Sequence, residues 1–219
     1  TDNDALRDRL VAEAKFFRGW AYFELVSLWG PVPVHIEPVK TPTDFQSRAP
    51  EADVYALVKQ DLTEAAAGLP AVGDPGRVTK GAANAMLGRA LMQNRDYERA
   101  RTALKAVENS AEYSLVANYL DNFYEETEFN DESVLEIAFF DRGDNSFNWG
   151  YTGDNSGESQ ATVRNQEYKP VAWRNLIPST RYLNEFEHTA TGAAKTDPRL
   201  AMSVYRTGDM YNNSTTEPT

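Results

Sequence analysis

Apolar residues recur at helical spacing through the first half of this chain, and then the period stops. From Asp4 to Trp29, Leu6, Leu10, Ala14, Phe17, Ala21, Leu25 and Leu28 follow one another at steps of three or four, with Phe16, Trp20 and Phe23 beside them. That spacing predicts one long helix whose apolar stripe is wide enough to pack on more than one neighbour. Trp20 and Trp29, on or beside the stripe, are expected in the core. Gly30-Pro31 ends the helix, since glycine accepts the left-handed cap and proline cannot continue the ladder. Pro31, Pro33, Pro38 and Pro42 then force extended backbone.

A second helix opens at Pro50-Glu51, where Glu51 and Asp53 suit the positive end of the helix dipole. Val54, Val58, Leu62, Ala65, Ala66 and Leu69 give its face, and Gly68 and Pro70 close it. After the loop "AVGDPGRVT" come helices at Lys80–Gln93 and Asp96–Asn109, joined by "NRD". So short a link makes them antiparallel neighbours. Leu87 and Gly88 on the first, with Ala100 and Leu104 on the second, fall at the offsets of a tetratricopeptide unit, which places small residues where two helices approach closely. Gly19 and Tyr22 hold an equivalent offset on the first helix. An ordinary helical hairpin satisfies much of the same pattern.

Beyond Tyr113 the pattern predicts a turn, a short helix around Tyr119–Phe123, a strand at Val134–Phe140, a long loop over 141–180, and a short helix from Pro178 to Phe186 capped by Ser179 or Thr180. The expected fold is mainly α. Residues 1–115 form a scaffold of tetratricopeptide-like helical hairpins, and residues 116–219 form a loop-rich, minor-strand segment of the same domain.

Composition narrows the function. A formal charge of −11 without a Lys/Arg cluster disfavours nucleic acid and anionic lipid. With no cysteine, disulfides, thiolate metal sites and cysteine nucleophiles are excluded. His35 and His188 stand alone, without a second ligand at metal spacing. The acids Glu125, Glu126, Glu128, Asp131 and Glu132 form a charge run that reads as a solvated face rather than a glycosidase pair. No nucleophile elbow, phosphate loop or zinc motif is present. The expectation is a protein without catalysis and without a cofactor.

The candidate chemistry sits in "DRGDNSFNWGYTGDNSG", residues 141–157. As an EF-hand loop it fails, because position twelve is Thr152, or Asn155 in a second register, where a bidentate glutamate is needed. An irregular calcium site using Asp154 and backbone carbonyls stays open. Sugars present apolar C–H faces and directional hydroxyls, which flat aromatic rings and planar amides or carboxylates meet. Asn148, Trp149, Tyr151 and Asp154 supply both kinds within one loop, and unpatterned loops on rigid scaffolds are where binding residues collect. Trp149 folding back onto the scaffold is the competing reading. Trp173 and Arg174, in "YKPVAWRNLIPS", are further candidates, although the flanking apolar residues suggest a chain returning to the core.

Four segments together carry a family resemblance. They are "AEAKFFRGWAYFELVSLWGPVPV" (12–34), "GRVTKGAANAMLGRALMQNRDYERARTALKAVENSAEYSL" (76–115), "FNDESVLEIAF" (129–139), and "IPSTRYLNEFE" (177–187) with "DPRL" (197–200). In this order they resemble the SusD/RagB family of outer-membrane nutrient-binding lipoproteins from Bacteroidetes. The resemblance implies a SusD-like α-superhelix carrying irregular loops. It further implies a surface-exposed, lipid-anchored protein of the cell outer membrane that takes part in polysaccharide utilization. Such a protein binds oligosaccharide and sits as a lid on a TonB-dependent, SusC-like transporter during glycan uptake. Family members are usually more than twice this long, and this chain carries no lipobox cysteine, so the resemblance is to part of such a protein. The alternative is a tetratricopeptide-type scaffold for protein–protein interaction without a sugar ligand.

Overall fold

The first helix, α1, runs from Asp2 to Trp29 without a break. The computed structural model describes residues 2–138, 176–187 and 196–204. The chain divides into two compact units, Thr1–Ile137 and Ala138–Thr219, each taken by itself below.

In the first unit α1 is followed by a two-residue strand, β1 (Val32–Pro33), a one-turn 3-10 helix at Pro42–Asp44, and a second strand, β2 (Arg48–Ala49). Then come α2 (Glu51–Gly68), α3 (Lys80–Gln93) and α4 (Tyr97–Glu108). Gly30 has φ +66 and donates its amide to the Val26 carbonyl at 2.9 Å, the left-handed cap that its lack of a Cβ allows. β1 and β2 pair antiparallel, Val32 with Ala49 and Pro33 with Arg48, and so return the proline-rich excursion to the start of α2. Tyr22 pins that excursion from α1: its hydroxyl accepts from the His35 amide at 2.7 Å and lies 3.2 Å from the His35 carbonyl.

α1 and α2 run antiparallel. Lys15 pairs with Glu64, Arg18 with Asp61, and Gly68 approaches Ala12. The crossing is close because Gly19 has no side chain: a Cβ there would lie 3.0 Å from Cγ of Leu62 and 3.2 Å from Cβ of Asp61. α3 packs on α2, and Lys59 of α2 donates to the Asn94 side chain at the end of α3. α4 returns along α3, and a Cβ on Gly88 would lie 2.5 Å from Cδ2 of Leu104. Both glycine approaches fall where the sequence puts the tetratricopeptide-like offsets. Phe16, Val54, Val58, Leu62 and Leu91 are the large apolar side chains buried deepest.

Several expectations need correction. The face of α1 that packs on α2 is not the leucine stripe but its opposite, Ala12, Phe16, Gly19, Tyr22, Phe23 and Val26. Both sets recur at helical spacing, so periodicity could not choose between them. The choice falls to the set whose small members, Ala12 and Gly19, let α2 come close. Leu6, Leu10, Phe17, Leu25 and Leu28 are exposed, and Trp29 is 63% exposed rather than core. Trp20 is half-buried against the core, with its indole N–H donated to Glu24 at 3.2 Å. The expected strand at Val134–Phe140 is absent over 134–138, where no other described segment pairs with it, and a strand without a ladder partner has no place for its backbone groups. Residues 139 and 140 lie outside the described residues. The short helix near Tyr119 is a 3-10 turn, Tyr119–Asn122.

A second surprise is Asp61, which lies on the apolar face of α2 and is 1% exposed. Its carboxylate receives both arms of the Arg18 guanidinium, Nε and Nη2, each at 2.7 Å. Such a bidentate, charge-assisted pair can repay desolvation where a lone buried carboxylate cannot. The Arg18 guanidinium is raised above its usual range, chiefly by this hydrogen bond. Glu64, nearer solvent, is held below the usual carboxylate range, first by Lys15 and then by Gln60.

In the second unit, Ser179 caps the helix Thr180–Asn184 by accepting from the Tyr182 amide, as its sequence position suggested. Asp197 caps the helix Pro198–Ser203, accepting from the Arg199 amide at 3.0 Å and from its guanidinium at 2.8 and 2.6 Å. The Glu187 carbonyl receives the Thr196 amide at 3.0 Å, which ties the two segments together. The Arg199 side chain holds the Asp197 carboxyl down to about 2.

Arg18→Met should lower unfolding stability by about 3 kcal/mol in denaturant titration, because Asp61 stays buried without its partner. The pair Arg18→Met with Asp61→Leu should regain most of that loss, as hydrophobic replacement of both members of a buried pair usually does. For Asp197, carboxyl-detected NMR should give a midpoint near 2, against the ordinary 3.8. Because the folded value is the lower one, the cap contributes fully above the ordinary carboxylate range and is lost as pH falls through the folded value. Arg199→Gln should move the midpoint back up.

Candidate functional site

All six residues singled out for ligand contact, Asn148, Trp149, Tyr151, Asp154, Trp173 and Arg174, lie outside the described residues. So do His188 and the stretch 141–157 weighed for calcium.

Within the first unit described residues line a cleft of about 240 Å³ beside the start of α3. Its near wall is the loop 71–77 between α2 and α3. That loop turns at Gly76, with φ +77, and closes when the Lys80 amide donates to the Pro70 carbonyl at 2.8 Å. Arg77 anchors it to α1, with Nη2 at 2.9 and 2.8 Å from the two carboxylate oxygens of Glu13. Thr79 ends the loop and caps α3, accepting from the Ala82 amide at 3.2 Å. Its hydroxyl also lies 2.9 Å from the Tyr113 hydroxyl, and the Tyr113 ring fills the space over Gly81.

The far wall is the segment 129–136. Phe129 is left-handed, with φ +57, and its amide is held by Glu136 at 2.9 Å. The Asn130 side chain ties this segment into a knot: its amide donates to the carbonyls of Asp121 and Thr127, and its oxygen accepts from the Glu132 amide. Glu132 in turn accepts from the Val116 amide at 3.1 Å, and the Asp131 carbonyl from the Ser114 amide at 2.9 Å. One carboxylate of the acidic run, that of Glu132, therefore organises the backbone, while Glu125, Glu126 and Glu128 are exposed.

Asp74, Glu112, Asp131 and Glu136 line this cleft, and the one arginine on its wall is already held by Glu13. A lining so rich in acids disfavours an anion. Among the described residues no three His, Asp or Glu side chains gather as a metal site would need. The sequence reading did not place this cleft. The signal available was Thr79, an N-cap threonine directly before the apolar run of α3, inside the "GRVTK" of a resembling segment.

A second hollow, about 330 Å³ and largely apolar, lies on the outer side of α3 and α4, over Met92, Tyr97, Ala100 and Leu104. Among the described residues no helix is long and apolar enough to cross a membrane.

Comparison with known proteins agrees with the helical frame. A SusD-like family model described as starch-binding and associating with outer membrane matches residues 1–92. The SusD-like protein P25 of Formosa agariphila is 30% identical over 145 residues, covering 63% of this chain and 28% of that protein. Among solved structures, a SusD superfamily protein from Bacteroides vulgatus superposes with TM-score 0.70 at 25% identity, over 87% of this chain and 39% of its own. A laminarin-binding SusD-like protein gives TM-score 0.65 at 30% identity, over 74% of this chain and 36% of its own. The chain thus spans about 28% of the length of the curated relative and little more than a third of the solved ones. With its four-helix frame and its close glycine approaches, the chain is similar in sequence and fold to part of the SusD-like proteins.

Proposed function

We propose that the protein captures an oligosaccharide at the cell surface and passes it to a TonB-dependent, SusC-like transporter of the outer membrane. The observation that carries this reading is the shared frame: a relative that binds laminarin has the same helical arrangement at 30% identity. The family model, described as starch-binding and associating with outer membrane, supports the same location. Attachment through an N-terminal lipid anchor is part of the proposal.

The chemistry of 141–157 fits that role. Trp149 and Tyr151 offer flat apolar faces to a pyranose ring, and Asn148 and Asp154 offer directional partners to its hydroxyls. Trp173 and Arg174 are the second group in this proposal. Neither needs a metal or a cofactor, and no bond is made or broken. The acidic chain, −11 in formal charge, points to a neutral glycan.

The test uses the complete natural polypeptide and laminarin oligosaccharides as first probe. Trp149→Ala should weaken binding in calorimetry by about tenfold or more, a loss of ~1.4 kcal/mol, with the melting temperature unchanged. Unchanged affinity would remove this loop from the site. Binding of a protein segment but of no sugar would favour the tetratricopeptide-type scaffold reading.

A further inference from the structure

Among the described residues, Arg95, Ala111 and Phe129 have a positive φ without being glycine. Arg95 comes just after α3 and Ala111 just after α4, where a left-handed residue commonly ends a helix. Phe129 follows only the one-turn 3-10 helix Glu125–Thr127, and it stands on the far wall of the cleft beside α3. Left-handed backbone is uncommon for a bulky side chain, because its Cβ crowds the following carbonyl oxygen. Glycine and asparagine adopt it far more readily.

The surroundings impose this conformation. The Glu136 carboxylate accepts from the Phe129 amide at 2.9 Å and also from the Ser133 hydroxyl. Asn130, the next residue, is fixed by its side-chain bonds to the carbonyls of Asp121 and Thr127. The position therefore suits glycine or asparagine, yet it carries a phenylalanine. Core packing does not account for the ring, which is 40% exposed and lies outside the buried apolar cluster. A backbone conformation that costs stability, holding a side chain that the core does not need, is the kind of feature that collects at ligand contacts.

The cleft that Phe129 lines limits what it can meet. At about 240 Å³ it is smaller than the roughly 300–1,000 Å³ of sites for drug-sized ligands, so it has room for one sugar ring or the end of a chain, not for a long glycan. Thr79 and Tyr113 also line it, with hydroxyls 2.9 Å apart. Asp74, Glu112 and Asp131 add carboxylates that no described side chain partners. These groups and the ring make a set suited to a neutral sugar, with a flat apolar face for its C–H surface and acceptors for its hydroxyls. An anionic sugar would meet only acids, because Arg77 is held by Glu13.

We propose that Phe129 is a ligand-contacting residue, whose ring stacks on one neutral sugar unit seated in this cleft. The cleft is then a further glycan subsite, built wholly from the first unit and apart in sequence from 141–157. It rests on the reading of the protein as a glycan binder.

The test uses the complete natural polypeptide, with laminarin and starch oligosaccharides as probes in calorimetry. Phe129→Asn keeps a residue that accepts the left-handed backbone and removes the ring. It should weaken binding by at least about fivefold, the scale of one aromatic contact, with the melting temperature unchanged or raised. Phe129→Tyr, which retains a ring, should bind as the unsubstituted polypeptide does. Unchanged affinity in Phe129→Asn, alongside weakened binding in Trp149→Ala, would overturn the subsite and leave the wider reading standing. A lowered melting temperature in Phe129→Asn would also overturn it, since the ring would then be packing inside the complete polypeptide. No binding of either probe by the unsubstituted polypeptide would count against both.

Discussion

α1 and α2 cross where Gly19 gives up its side chain and Arg18, the residue before it, reaches over to the buried carboxylate of Asp61. These two features depend on each other. Without the glycine the helices could not approach to where Leu62 fills the crossing, and without that approach the guanidinium could not meet both oxygens of Asp61 at 2.7 Å. The pair makes the register of α1 on α2 costly to change, because a slip of one residue would strand a carboxylate in the core. Everything later in the first unit is placed by this register. α3 leans on α2, α4 closes on α3 over Gly88, and Arg77 ties the α2–α3 loop back to Glu13 of α1.

That frame explains how irregular segments can be held in definite shapes. The cleft beside α3 is made from a loop and a long turn, neither of which has a ladder of its own. It persists because Thr79, Tyr113, Asn130 and Glu132 spend side-chain hydrogen bonds on it. A loop-bearing helical scaffold of this kind suits recognition of flexible polar ligands: the scaffold carries the order, and the loops carry the chemistry. It also leaves two apolar surfaces open, the row along α1 and the hollow over α3 and α4, at opposite ends of the stack.

Helix positions were readable from sequence because caps and breakers are local. Gly30, Thr79, Ser179 and the short link at 94–96 each announce a boundary within a few residues. The glycine approaches at 19 and 88 were readable from their offsets, and the likeness to SusD-like proteins from the segments quoted for it. Which face of α1 packs was not, since two faces share one periodicity and only the partner helix decides between them. Asp61 was invisible for a similar reason: an acid on an apolar face means nothing until Arg18 is brought to it from 43 residues away in sequence. The strand expected at 134–140 was read from β-rich composition, but a strand exists only with a partner, and composition cannot supply one. For the residues proposed to meet a sugar the sequence offered chemistry, aromatic rings beside amides, without the means to say which way they point.

The central claim is that this SusD-like frame displays a surface for a neutral oligosaccharide. Its most direct test is a panel of immobilised glycans, neutral and anionic, probed with the complete natural polypeptide alongside a circular-dichroism check of its helical fold. The account predicts retention on at least one neutral glycan, competed away by the same sugar free in solution, and no preference for polyanionic ones. A folded protein that binds no glycan on the panel, or only the anionic ones, would contradict it.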